Sequence, residues 1–208
     1  MGNYAIFAET KIQMTMKSIV VFIAAALSAA VVFSACGRKS GATESHSDAD
    51  GKKALVCYFS ATGTTRAAAE RLARVTGADI HEIVPAELYS DADLDWRDSL
   101  SRSYVEMHNR EMRPALADSA VDLTGYDVVF IGYPNWWNTV PTVVNTFIEA
   151  NDLTGKAVVP FMTSGGNGIE NSEADLRAAY PSLDWRNGLL LNGVSDDAVK
   201  EWADSVMH

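Results

Sequence analysis

The sequence predicts an α/β protein: a doubly wound, five-stranded parallel sheet with helices on both faces. Strand and helix patterns alternate from residue 53 to the end without an internal repeat. Three of the strand stretches are near-continuous apolar runs, as expected of parallel strands covered on both sides. An apolar content of 48% against 21% charged residues in 208 places the chain among globular proteins with one sizeable domain.

The elements follow in order. Strands are predicted over 54–60 (ALVCYFS), 79–86 (DIHEIVPA), 127–134 (DVVFIGYP), 156–163 (KAVVPFMT) and 183–191 (LDWRNGLLL). Helices are predicted after each, over 65–76, roughly 100–110, 140–150, 172–179 and 196–207. In the last helix Val199, Trp202, Ala203 and Val206 recur at three- and four-residue spacing, which makes it amphipathic.

The first 36 residues are of another kind. Residues 19–35 (IVVFIAAALSAAVVFSA) form an apolar and small-residue run behind Met16 and Lys17, and Cys36 follows. A positive start, an apolar middle and small residues before a cysteine describe an export signal. The stretch FSAC resembles the lipobox of bacterial lipoproteins, with Phe33 where that pattern prefers Leu. It implies that Cys36 is lipidated and becomes the new N-terminus; an uncleaved anchor is the alternative, since a span needs about 18–20 apolar residues. Either reading exports the domain to the periplasmic or cell-surface side of a bacterial membrane. The segment before Met16 adds nothing a signal needs, so Met16 serves equally as a start. Residues 37–51 (GRKSGATESHSDADG) are small and polar, a flexible linker ahead of a domain over 52–208.

A net charge of −10 without any Lys/Arg stripe argues against nucleic acid as a partner. With Cys36 lipidated, Cys57 stands alone inside an apolar strand and is expected to be a small buried hydrophobe. The four histidines, His46, His81, His108 and His208, lack metal-ligand spacing, so no metal site is expected.

Ligands of such sheets bind beyond the carboxyl ends of the strands. The loop after the first strand is SATGTT, where Ser60, Thr62, Thr64 and Thr65 surround Gly63 at a helix start. One hydroxyl suffices to cap a helix, and four with a glycine suit a phosphate held by neutral donors. The loop is neither a Walker loop nor a G-x-G-x-x-G turn. After the third strand GYPNWWNTVP places Trp136 and Trp137 among Pro134, Asn135, Asn138 and Thr139. The indoles either meet a flat aromatic ligand or fold back on the sheet. After the fourth strand TSGGNG offers Thr163, Ser164, Gly165 and Gly166, whose backbone can line a pocket or form a flexible turn. A phosphate on the first loop and a planar heterocycle between the other two suit flavin mononucleotide (FMN).

These residues resemble the flavodoxin family over essentially all of the chain from Lys53 onward. SATGTT matches the family's S/T-x-T-G-x-T phosphate loop at Ser60, Thr62, Gly63 and Thr65. GYPNWWNTVP and PFMTSGGNG are similar to the two flavin-ring loops of its lipoprotein-type branch, and residues 91–107 and Arg113–Pro114 also resemble that branch. The resemblance implies strand order 2-1-3-4-5, a short-chain form and a noncovalently held FMN. It assigns the phosphate to Ser60, Thr62, Gly63, Thr64 and Thr65. Ribityl and ring fall to Pro134, Asn135, Trp136, Trp137 and Asn138, and the pyrimidine side to Thr163, Ser164, Gly165 and Gly166. Many flavodoxins stack a tyrosine from the fourth-strand loop, and none stands there in this sequence.

Three functions follow from that resemblance. The first is an electron-transfer carrier serving a redox protein partner or a quinone. The second is an NAD(P)H-dependent flavin or quinone oxidoreductase, with Arg102, Arg110 and Arg113 available to meet a dinucleotide phosphate. The third is a non-redox binding module on the same fold.

Overall fold

Two sets of apolar side chains alternate along the central strands β1 (Ala54–Tyr58), β3 (Val128–Pro134) and β4 (Ala157–Thr163). In this computed structural model, which describes residues 51–208, each set finds its own helices. Leu55, Cys57, Val129, Ile131, Tyr133, Val158 and Met162 face α3 (Thr142–Ala150) and α4 (Glu170–Ala179), meeting Val143, Val144, Phe147 and Leu176. Ala54, Val56, Tyr58, Phe130, Val159 and Phe161 face α1 (Thr64–Thr76) and α5 (Asp196–Met207), meeting Leu72, Val199 and Ala203. Burial on both faces is why these strands read as unbroken apolar runs. The signal segment, Cys36 and the linker before Gly51 lie outside the described residues.

The sheet runs β2-β1-β3-β4-β5 with every pair parallel, the expected order. β2 (Asp79–Glu82) is shorter than the predicted 79–86. Past Glu82 the chain turns away and pairs with its own later segment: Ala86 N–H donates to Ala115 O and Ala117 N–H to Val84 O, each at 2.8 Å. The long connection so closed carries α2 (Arg102–His108), capped by Ser101, whose hydroxyl accepts from Tyr104 N–H.

The fifth strand differs most from expectation. It forms two short pieces, β5 (Asp184–Trp185) and β6 (Leu189–Leu190), both paired with β4. The register slips by one residue between them: Val158 faces Trp185, yet Phe161 faces Leu189. Pro160 is the cause. Arg186 N–H donates to Val158 O at 2.8 Å and Leu191 N–H to Met162 O at 2.9 Å, so the alternate residue between them, Pro160, also faces the fifth strand. Proline has no N–H to give there, and the strand bulges through Arg186–Gly188 until the ladder resumes.

Gly132 sits where β1, β3 and β4 come together, opposite both Tyr58 and Phe161. A Cβ at this position would fall within 2.7 Å of three carbons of the Phe161 ring. That ring is fully buried and has nowhere to go. Gly132→Ala is therefore expected to destabilise the fold by about 1–3 kcal/mol through overpacking. Equilibrium urea unfolding measures it, and an unchanged midpoint would contradict the contact.

Candidate functional site at the ends of the first, third and fourth strands

After β1 the chain turns at Ser60, whose hydroxyl accepts the N–H of Gly63 at 3.1 Å. Gly63 takes φ 89°, a left-handed conformation that glycine adopts without strain, and α1 begins. No side chain caps this helix and no acidic residue occupies its first turn. The contrast is α5, capped by Ser195 and opened by Asp196 and Asp197. Among the described residues the N–H groups of Thr64, Thr65 and Arg66 meet no acceptor, so the helix start is electropositive and open. The four hydroxyls divide their work. Thr65 is buried and shares a 2.8 Å hydrogen bond with the Thr163 hydroxyl at the end of β4. Thr62 and Thr64 remain exposed at the mouth of the loop. Arg66 points to the end of β2, where it pairs with Glu82 at 2.5 Å.

The third-strand loop is a two-residue hairpin. Trp136 and Thr139 exchange backbone hydrogen bonds of 3.2 and 3.0 Å across Trp137 and Asn138. Those two residues have φ 48° and 62°, the only non-glycine positive values among the described residues. Two successive positive φ values define a type I′ turn, which asparagine tolerates and tryptophan adopts only under strain. The adjacent indoles separate as a result. Trp136 folds back, edge-on to Phe59 at 5.5 Å and Tyr89 at 5.2 Å. Trp137 stands out, 37% exposed, against a stacked Tyr104–His108 pair on α2. Trp136 therefore folds back on the sheet, while Trp137 stays partly exposed.

The fourth-strand loop is organised by Ser164. Its hydroxyl accepts the N–H groups of Gly166 and Asn167 at 3.1 and 3.0 Å and the Asn135 amide at 3.3 Å. Its own N–H donates to Asn192 Oδ1 at 2.8 Å. Gly165 and Gly166 lie exposed with nothing near a would-be Cβ. Pro134 ends β3, and the next N–H, of Asn135, donates to Thr163 O at 2.8 Å, binding the two loops together.

Between the first and third loops lies a cleft of ≈ 330 Å³, lined by Thr62, Leu94, Trp96, Ser103, Asn135, Trp136 and Trp137. Thr163, Ser164, Gly165 and Gly166 stand beside it and are not part of its lining. Leu94, Trp96 and Ser103 are absent from the sequence-based set: they come from the long β2–β3 connection, which has no period to mark them. Of the four arginines of that connection, Arg97 lies over the Trp96 ring at 4.9 Å and the other three have polar partners. Arg102 holds the buried Glu106 at 2.6 Å and covers the Tyr89 ring at 4.1 Å. Arg113 forks onto Glu149 with two 2.8 Å bonds, and Arg110 donates to Val140 O at 2.8 Å. Burial and the Glu106 carboxylate push the Tyr89 phenol up, so it remains a neutral donor to Glu106. Cys57 is fully buried, and burial pushes its thiol up as well.

The site fits a ligand with an anionic end and a flat ring. Free amides and hydroxyls stand at one end, indoles wall the cleft, and the buried Asn135 Oδ1 has no partner among the described residues. Strand order reverses between β1 and β3, and the cleft lies at that reversal, where doubly wound sheets take their ligands. Sheet order, open helix start and aromatic cleft define a flavodoxin-like protein. The chain belongs to the flavodoxin family, whose model matches residues 53–206. It is similar to the crystal structure of an inferred flavoprotein from Bacteroides eggerthii, with 51% identity and a TM-score of 0.73 over 75% of this chain and 98% of that one. A second inferred flavoprotein, from Bacteroides uniformis, shares 49% identity with a TM-score of 0.71, over 74% and 99% of the two chains. A flavoprotein from Lactobacillus acidophilus, crystallised in complex with FMN, has the same fold at 21% identity and a TM-score of 0.58, over 74% and 99%. No curated protein matches the chain.

The turn gives a direct prediction. Asn138→Val puts a β-branched residue at φ 62° and should cost about 1–3 kcal/mol in unfolding experiments, whereas Asn138→Gly should cost little. Equal effects of the two substitutions would show that the turn does not hold its left-handed form.

Proposed function

We propose that this protein binds FMN and works as an electron-transfer carrier, held on the exported side of a bacterial membrane by lipid on Cys36. The observation that carries the FMN reading is the start of α1, with no side-chain cap, no acidic residue and three N–H groups unpartnered among the described residues, beside two exposed threonines. Thr62 and Thr64 with those amides would receive the phosphate. Trp137, Trp136 and Trp96 would flank the ring, and the open backbone of Gly165 and Gly166 would reach its polar edge. Ser60, Gly63, Thr65, Thr163 and Ser164 give the loops their shape. FMN supplies reversible one- and two-electron transfer, which no side chain here offers. The chain's part is to hold the ring, keep water from its covered face and surround it with aromatic groups. The Lactobacillus acidophilus relative crystallised with FMN supports the choice of cofactor.

A carrier is favoured over a pyridine-nucleotide reductase because Arg102, Arg110 and Arg113 are each committed inside the chain. A redox protein or a membrane quinone is the fitting partner for an exported domain. The purified protein should be yellow and should release FMN on denaturation; a colourless protein that takes up no FMN would leave only a non-redox binding role. Bound flavin should not be bleached at enzymatic rates by NADH or NADPH, with or without menadione. Rapid bleaching would establish a reductase.

The membrane reading rests on the export signal and lipobox of residues 1–36. Among the described residues no helix is long and apolar enough to cross a membrane. Cys36→Ser should abolish incorporation of a labelled fatty acid in the producing cells and release the protein from the membrane fraction. Retention of both would contradict lipidation at this residue.

A further inference from the structure

Seven buried side-chain polar atoms among the described residues have no hydrogen-bond partner, and two belong to residues lining the cleft: Asn135 Oδ1 and Ser103 Oγ. Such atoms are a cost to a fold unless something else satisfies them. Ser103 is 1% exposed and lies in the first turn of α2. The helix does not need its hydroxyl, because Ser101 already supplies the cap. Its backbone is also in use: Ser103 N–H donates to Asp93 O at 3.0 Å, fastening the turn that brings Leu94 to the same wall. The hydroxyl alone is left over, in a residue that lines the cleft.

We propose that Ser103 is a flavin-binding residue, its hydroxyl and Asn135 Oδ1 together holding the ribityl chain. The inference rests on the FMN reading above. A serine hydroxyl donates or accepts, whereas an amide oxygen only accepts, so the pair suits a partner that does both, as a secondary alcohol does. Thr62 of the first loop, Trp136 and Trp137 line the same cleft as Ser103 and Asn135. A polyol joining a phosphate to a ring would have to pass through it. The β2–β3 connection thus contributes a binding group from outside the three strand-end loops.

The test compares wild-type protein with Ser103→Ala, each titrated with FMN, riboflavin and lumiflavin, which has the same ring without the polyol. Loss of one buried hydrogen bond should weaken FMN and riboflavin by about tenfold and leave lumiflavin unchanged. Thermal melting of the cofactor-free variant should match or exceed wild type, because the substitution removes an unsatisfied hydroxyl. Equal FMN affinity in both proteins would overturn the proposal. So would an equal loss on lumiflavin, or a lower melting temperature of the cofactor-free variant, which would make the role structural. Failure of the wild-type protein itself to bind FMN would overturn the functional reading and this inference together, and it is recognised without reference to the variant.

Discussion

The site depends on the register of three buried strands. β1, β3 and β4 pair in parallel, with Gly132 opposite Tyr58 on one side and Phe161 on the other. Their faces are covered by two separate apolar clusters, so a slip of one residue would turn every core side chain to the wrong layer. The Phe161 ring resting on Gly132 adds a steric lock, one step below the point where the three loops leave the sheet. Because the strands end together, their loops emerge together.

Above that apolar floor lies a thin polar layer with Thr163 at its centre. Its hydroxyl meets Thr65 and its carbonyl takes the N–H of Asn135, whose amide reaches Ser164. Ser164 in turn closes the fourth-strand loop and takes support from Asn192. The buried end of the network, the Thr65–Thr163 pair, is stiff, since breaking its bond strands a hydroxyl in low dielectric. Residues of one motif are thereby sorted into two duties. Thr65, Thr163 and Ser164 build the rim, which leaves Thr62, Thr64, Trp137 and the two glycines exposed.

The central strands and the three loops were legible because they rest on local signals, whereas the sheet order came only through the family resemblance. Apolar runs mark β1, β3 and β4, and the hydroxyl-rich turn announces itself within six residues. Pro160 was equally visible, but its effect falls on a strand some 25 residues further on, so the apolar run of residues 189–191 read as the end of one continuous strand. The sign of φ at Trp137 was hidden as well, since Trp-Asn lacks the glycine that usually advertises such a turn. Leu94, Trp96 and Ser103 reach the cleft through a connection held by backbone bonds such as Ser103 to Asp93. No periodicity encodes that closure, and only the folded chain reveals it.

The bulge at Pro160 has a bearing on how copies of this protein behave towards one another. An open parallel sheet offers its outermost strand as a template for a further strand, and long flat edges invite association between molecules. Here that border consists of two pairs of residues, Asp184–Trp185 and Leu189–Leu190, offset by one position and separated by a kink. A foreign strand could match one pair only by missing the other. A single imino acid in the neighbouring strand therefore guards against edge-to-edge association here, beside the exposed Asp184–Arg186 ion pair on the same border.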